Sequence, residues 1–140
     1  MAAAAPAPLD KKALDEADKV HRFEGDAGEA RTVELAGGAR VTRWRCAPGW
    51  RWSTHVKPQA GGTDLCQQDH VGFQLAGTMV AEMADGRRLE IRAGDAFRIP
   101  PGHDAFVEGG EEAVGVHFEG PPCPQAHAGE GDAEIPAAAI

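Results

Sequence analysis

No apolar run in this sequence approaches the length needed to cross a membrane, so no membrane partner is expected. Positive charge is in short supply. Lys and Arg number 14 against 22 Asp and Glu, for a formal net charge of −8, which argues against nucleic acid as a partner. Cysteine is scarce too. Cys46, Cys66 and Cys123 are odd in number and irregularly spaced, which argues for free thiols in a reducing, cytoplasmic compartment and against a disulfide framework. The opening residues, Met1-Ala-Ala-Ala-Ala-Pro-Ala-Pro, lack a basic start and a long apolar stretch, so no secretory signal is expected. There is no phosphate-cradling glycine loop, dinucleotide fingerprint, Gly-x-Ser-x-Gly elbow or Cys-x-x-Cys pair. No pair of carboxylates accompanies the histidines, which argues against glycosidase chemistry.

Glycine and proline are plentiful, at 18 and 10 of 140 residues, and suit short strands joined by tight turns. The length fits one domain with two tails. Leu9, Ala13, Leu14, Ala17 and Val20 recur at helical spacing, so a short helix is expected over about residues 10–19. From Arg31 the pattern becomes strand-like. Strands are expected at 31–35, 40–46, 50–56, 71–76, 78–83, 88–91, 96–99, 105–107 and 113–118, with Asp85-Gly86 marking a hairpin. That spacing suits an all-β sandwich or barrel. Phe73, Phe97 and Phe106 are read as core.

Two glycine-punctuated segments carry three of the six histidines. One runs Gly49-Trp-Arg-Trp-Ser-Thr-His55-Val-Lys57 and, after a loop, His70-Val-Gly-Phe-Gln-Leu-Ala-Gly77. The other runs Gly94-Asp-Ala-Phe-Arg-Ile-Pro100-Pro-Gly102-His103. Together they resemble the two motifs of the cupin family, over residues 31–118. Gly49, His55, Gly77, Gly94, Pro100 and Gly102 fall on the family pattern. Lys57 stands in place of the second His and His70 in place of the Glu. The loop before His70 is longer than usual, and Ala105 takes the slot of the last His. The resemblance implies an antiparallel cupin barrel (a double-stranded β-helix or jelly roll) preceded by a short N-terminal helix. The expected boundaries are 1–30 for the leader and helix, 31–118 for the barrel and 119–140 for a flexible tail.

The family usually holds one divalent metal in the barrel mouth. Here the candidate ligands are His55, His70 and His103. Neutral imidazole suits Zn and Fe first, with Ni, Mn or Cu as alternatives, and three protein ligands leave a position open for catalysis. The competing reading is a degenerate, metal-free barrel in which His103 is a turn residue. Lys57 lies on His55's side of the expected strand. It is a candidate to bind an anionic group or shuttle a proton, or else a surface lysine at a strand end. Gln74 shares His70's side and is a candidate pocket hydrogen-bonding group. Cys66, four residues before His70, is read as a half-buried loop thiol or a pocket-rim thiol that joins the site. His117 alternates away from Val114, Val116 and Phe118, toward pocket or solvent. It has no motif context and no ligand role is assigned to it.

The resemblance allows a metal-dependent enzyme acting on a small organic substrate, of dioxygenase, isomerase or cyclase type. The alternative is a non-catalytic module that binds or senses a small molecule or metal. Single-domain cupins often pair by sheet edges, so a homodimer is expected.

Overall fold

The computed structural model describes residues 8–120, so the expected tail at 121–140 and the first residues of the leader lie outside it. Two antiparallel sheets face each other. The larger has six strands: β1 (Lys19–Arg22), β2 (Gly28–Glu34), β3 (Arg40–Cys46), β4 (His70–Ala76), β7 (Ala96–Ile99) and β9 (Ala113–Glu119), in the order β1-β2-β3-β9-β4-β7. The smaller has β5 (Thr78–Met83), β6 (Arg88–Arg92) and β8 (His103–Glu108), in the order β6-β5-β8. The segment before β4 runs along the free edge of β8, bridging Arg51 to Phe106 and Cys66 to His103. The core fills the space between the sheets, with Cys46, Ile91 and Ala113 among its most buried members. The fold is all-β, as expected, and no described helix is long and apolar enough to cross a membrane.

Three expectations are corrected. The helix over 10–19 does not form. Only a single 3-10 turn appears, at Leu14–Glu16, and Lys19 already begins β1, so the sheet starts before residue 31. Acidic residues of this segment instead tie an extended strap to the sheet. Asp10 accepts from the Ala36 N–H, Asp18 accepts from the Glu34 N–H, and Asp15 pairs with Arg43. A helix there would have no core to pack on, since Leu9 is fully exposed.

The strand expected at 50–56 is a short helix, α1 (Trp52–His55), followed by a 3-10 turn at Lys57–Gln59. Asp104 in β8 caps its first turn from outside. Its carboxylate accepts from the Ser53 N–H at 3.1 Å and from the Ser53 hydroxyl at 2.8 Å, satisfying orphan first-turn donors. Pro58 then prevents continuation.

The third correction concerns facing. Phe97 is buried, but Phe73 is exposed on the outer face, and Phe106 lies under the guanidinium groups of Arg51 and Arg88. In β9 the small and polar residues Ala113, Gly115 and His117 face inward, and Phe118 is exposed. Two glycines make room for this. A Cβ on Gly115 would run into the Trp44 ring, and one on Gly72 would run into the Val116 carbonyl opposite.

Candidate metal centre

A cavity of about 570 Å³ opens between the sheets. Its walls are apolar and aromatic, with Phe23, Trp44, Trp50, Trp52, Met79 and Phe97 on them. Thr32 and Thr42 join them from the six-stranded sheet, their hydroxyls bonded to each other at 2.8 Å. Cys66, His70, His103 and His117 also line the cavity, and all but the half-buried His70 are deeply buried.

Strand register brings these four together. His117 in β9 lies opposite Gly72 in β4, and His70 is two residues away on the same inward face. The His70 and His117 ring centroids are 4.8 Å apart. His103 opens β8 in the facing sheet, with its ring centroid 5.2 Å from that of His70. Cys66 reaches the group from the loop because its backbone is stapled to β8. Its N–H donates to the His103 carbonyl at 2.8 Å, and its carbonyl accepts from the Gly102 N–H at 2.7 Å. The possible donor atoms of Cys66, His70 and His103 all lie within 4.8 Å of one another. Cys66 Sγ is 3.6 Å from His70 Nε2.

The electrostatics favour neutral donors. Burial, reinforced by His117 and His103, pushes His70 down to about 3, with Asp69 opposing. Burial also lowers His103, partly offset by its bond to the Pro100 carbonyl, and lowers His117 against the pull of Glu119. Burial raises the Cys66 thiol. At neutral pH the cluster therefore presents three uncharged imidazoles and a protonated thiol.

Tautomers are partly set. Pro100 offers only an acceptor, so His103 Nδ1 carries the proton in their 2.7 Å bond and Nε2 keeps a free lone pair. His117 Nε2 lies 3.5 Å from a Glu119 carboxylate oxygen, while its Nδ1 is buried with no partner.

Of the sequence candidates, the structure brings together His70 and His103 and leaves His55 out. His55 sits at the end of α1, where its Nδ1 accepts from the Arg51 N–H at 3.0 Å and its ring faces Gly25. Folding residues 52–55 as a helix removes the alternation that would have pointed His55 inward. Lys57 is also outside the cavity lining and pairs with Asp64 at 3.2 Å near the surface. Gln74 is fully buried and outside the cavity lining, and its Oε1 has no partner. Its side-chain N–H donates to the Ala76 carbonyl at 2.9 Å, across the bulge between Gln74 and Ala76. Cys66 and His117 take up the places beside His70. The parity of β9 was the available signal for His117. For Cys66 there was only its nearness to His70 in the chain.

No protein-family model matches the chain, and no curated protein does. Solved structures do. A double-stranded β-helix domain protein from Klebsiella pneumoniae aligns with a TM-score of 0.52 at 18% identity, covering 79% of this chain and 89% of that one. A cupin 2 conserved barrel domain protein from Salinispora arenicola aligns with a TM-score of 0.55 at 16% identity, covering 82% and 91%. The chain has the cupin fold. The polyketide cyclase RemF from Streptomyces resistomycificus shares this cupin architecture, with a TM-score of 0.55 at 18% identity over 82% and 83% of the two chains. At such identities the likeness carries the fold, and the chemistry of this cupin barrel rests on its own side chains.

Proposed function

We propose that the barrel is a metal-dependent enzyme for a small, flat, largely apolar organic substrate, with Cys66, His70 and His103 holding one divalent ion. The observation that carries this reading is the convergence of their donor atoms within 4.8 Å at a cavity wall. The residues suit a metal in three further ways. Cys66 and His103 are buried and His70 half-buried, His103 is held in the ligating tautomer by Pro100, and the nearby His117 has an orphaned Nδ1. One thiolate with two imidazoles is a donor set that favours zinc over the harder, oxygen-seeking ions. Bound there, a zinc ion would polarise a carbonyl oxygen or activate water.

The aromatic walls would press a flat substrate into one plane and exclude water from it. The hydroxyls of Thr32 and Thr42 offer hydrogen bonds to a substrate oxygen on the opposite sheet from His103. This favours isomerase or cyclase chemistry on an oxygenated substrate over oxidation by O₂. RemF, a polyketide cyclase, fits that class.

The second reading, a non-catalytic metal-binding module, is favoured by the orphaned His117 Nδ1. A fourth protein donor would fill a zinc tetrahedron and leave no open position. Cobalt substitution separates the two. The cobalt(II) protein should show a thiolate charge-transfer band that Cys66→Ser abolishes, and added azide should shift its visible spectrum. A band that survives Cys66→Ser removes the proposed ligand set. A spectrum indifferent to azide selects the non-catalytic module.

A further inference from the structure

The cavity-facing side of the six-stranded sheet changes character row by row. Arg40 and Glu119 are register partners, both exposed, at the rim. One step further in come the partners Thr42 and His117, and one step beyond those, Trp44 and Gly115. The middle row alone joins polarity to burial. Thr42 and His117 are each only 7% exposed, and both line the cavity. As direct partners on neighbouring antiparallel strands, their Cβ atoms stand about 5 Å apart on one face.

Both side chains have hydrogen-bonding capacity left over. Thr42 and its β2 partner Thr32 share one bond between their hydroxyls, at 2.8 Å. Two hydroxyls carry two protons, so one bond uses one and leaves one to donate. When Thr32 donates to Thr42, the Thr42 proton is the one left. An ionised Glu119 offers only acceptors, so His117 Nε2 carries the proton at their 3.5 Å approach and Nδ1 keeps a lone pair. That Nδ1 is buried without a partner. Buried polar atoms are nearly always paired, and an orphan on a cavity wall points to a ligand that pairs it.

One acceptor and one donor side by side fit a hydroxyl group, which donates once and accepts. An ether or carbonyl oxygen would leave Nδ1 unpaired. A carboxylate would set its charge against the Nδ1 lone pair. We propose that Thr42 and His117 form a hydroxyl-binding subsite, in which a substrate hydroxyl donates to His117 Nδ1 and accepts from the Thr42 hydroxyl. This deepens the enzyme reading given above and rests on it. The His117 ring lies against His70, with centroids 4.8 Å apart, so the subsite adjoins the proposed ligand set. The substrate class is then a planar phenol or enol with a second oxygen turned toward His70 and His103. His117 serves as a specificity residue and is not a fourth metal donor.

Isothermal titration calorimetry of the metal-free full chain with 3-hydroxyacetophenone and acetophenone tests this. The hydroxylated probe should bind about tenfold more tightly, because the probe without the hydroxyl leaves a buried acceptor unpaired. His117→Leu should bring the two probes within about twofold of each other, since no acceptor is then left to satisfy. His117→Asn places an acceptor oxygen near the position of Nδ1 and should keep the preference. Thr42→Val should reduce the preference to about threefold, and Thr42→Ser should retain it. Far-UV circular dichroism and the cobalt(II) spectrum of His117→Leu should match the wild type. Equal affinity of the wild-type chain for the two probes overturns the subsite, as does failure to bind the hydroxylated probe at millimolar concentration. So does a preference that survives His117→Leu. Cobalt bands altered in His117→Leu would make His117 a metal donor and overturn it as well. A preference unchanged in Thr42→Val overturns the part given to Thr42. The titration needs no ion, so a failure of the Cys66, His70 and His103 ligand set is read separately, from the cobalt spectrum of Cys66→Ser.

Discussion

The two halves of the histidine-bearing sequence behave differently. His70 and His103 lie in strands, and the structure brings them together on facing sheets. His55 and Lys57 lie in the segment between β3 and β4, and neither reaches the cluster. In β4 and β8 a hydrogen-bonded ladder fixes which way each side chain points, and local sequence is enough to read it. Between β3 and β4 the conformation is decided by a distant partner, Asp104, which no local pattern announces. The difference teaches that motif spacing is informative where a ladder enforces it and weak where a long-range contact overrides propensity.

The largest effect that sharpens this contrast is on metal content. Tag-free His103→Ala should lose nearly all bound metal by elemental analysis, while His55→Ala should keep it within about twofold, since ligand removal costs far more than a remote change. Equal losses in both would put the site back in the helical segment.

The next effect is on acid stability. Burial depresses His70, His103 and His117 in the folded chain, whereas the unfolded chain titrates near the ordinary histidine value. The unfolded state therefore binds more protons below that value, and stability falls as pH falls. Stability due to neutral His70 is fully present above about pH 6.5 and is lost progressively toward the folded value of about 3. At about pH 5, His70 alone accounts for about 2 kcal/mol. Urea melts of metal-free protein across this window should show the midpoint falling. His70→Gln should flatten the slope, and an unchanged slope would mean that burial does not hold His70 neutral.

A smaller effect breaks the helical segment itself. Asp104→Ala removes the acceptor for Ser53, Arg51 and the Ala105 N–H. It should cost about 1–3 kcal/mol in a thermal or urea melt, because partly buried donors lose a charged acceptor. Metal content should be retained, since the Cys66 bridge to His103 does not pass through Asp104.

Much of the fold was legible. Glycine and proline spacing and the alternation in β3, β5 and β9 pointed to the antiparallel barrel. The strap was not legible, because Asp10, Asp15 and Asp18 look alike on a solvated helix and on a chain bonded to a sheet edge. Two of the three proposed ligands, His70 and His103, were legible. His117 was visible only as a parity. Cys66 was hidden because a loop residue's direction depends on what its backbone meets, here the His103 carbonyl. The outward turn of Phe73 and Phe118 reversed the usual reading of an apolar stripe, since the inner face at those strands carries Gly72, Gly115 and His117.

The staple between Cys66 and β8 has a consequence for how fold and cargo are coupled. Three backbone hydrogen bonds, from Cys66 to His103 and from Gly102 and His103 to Cys66, place the sulfur beside the imidazoles before any ion arrives. Little chain entropy is left to lose on loading. In small metal-nucleated domains the ion is the scaffold, and a chelator unfolds the chain. If Cys66, His70 and His103 hold an ion as proposed, it would be a passenger on a finished frame. It would add stability only by mass action, in proportion to the logarithm of its free concentration, and its withdrawal would leave the chain's shape in place.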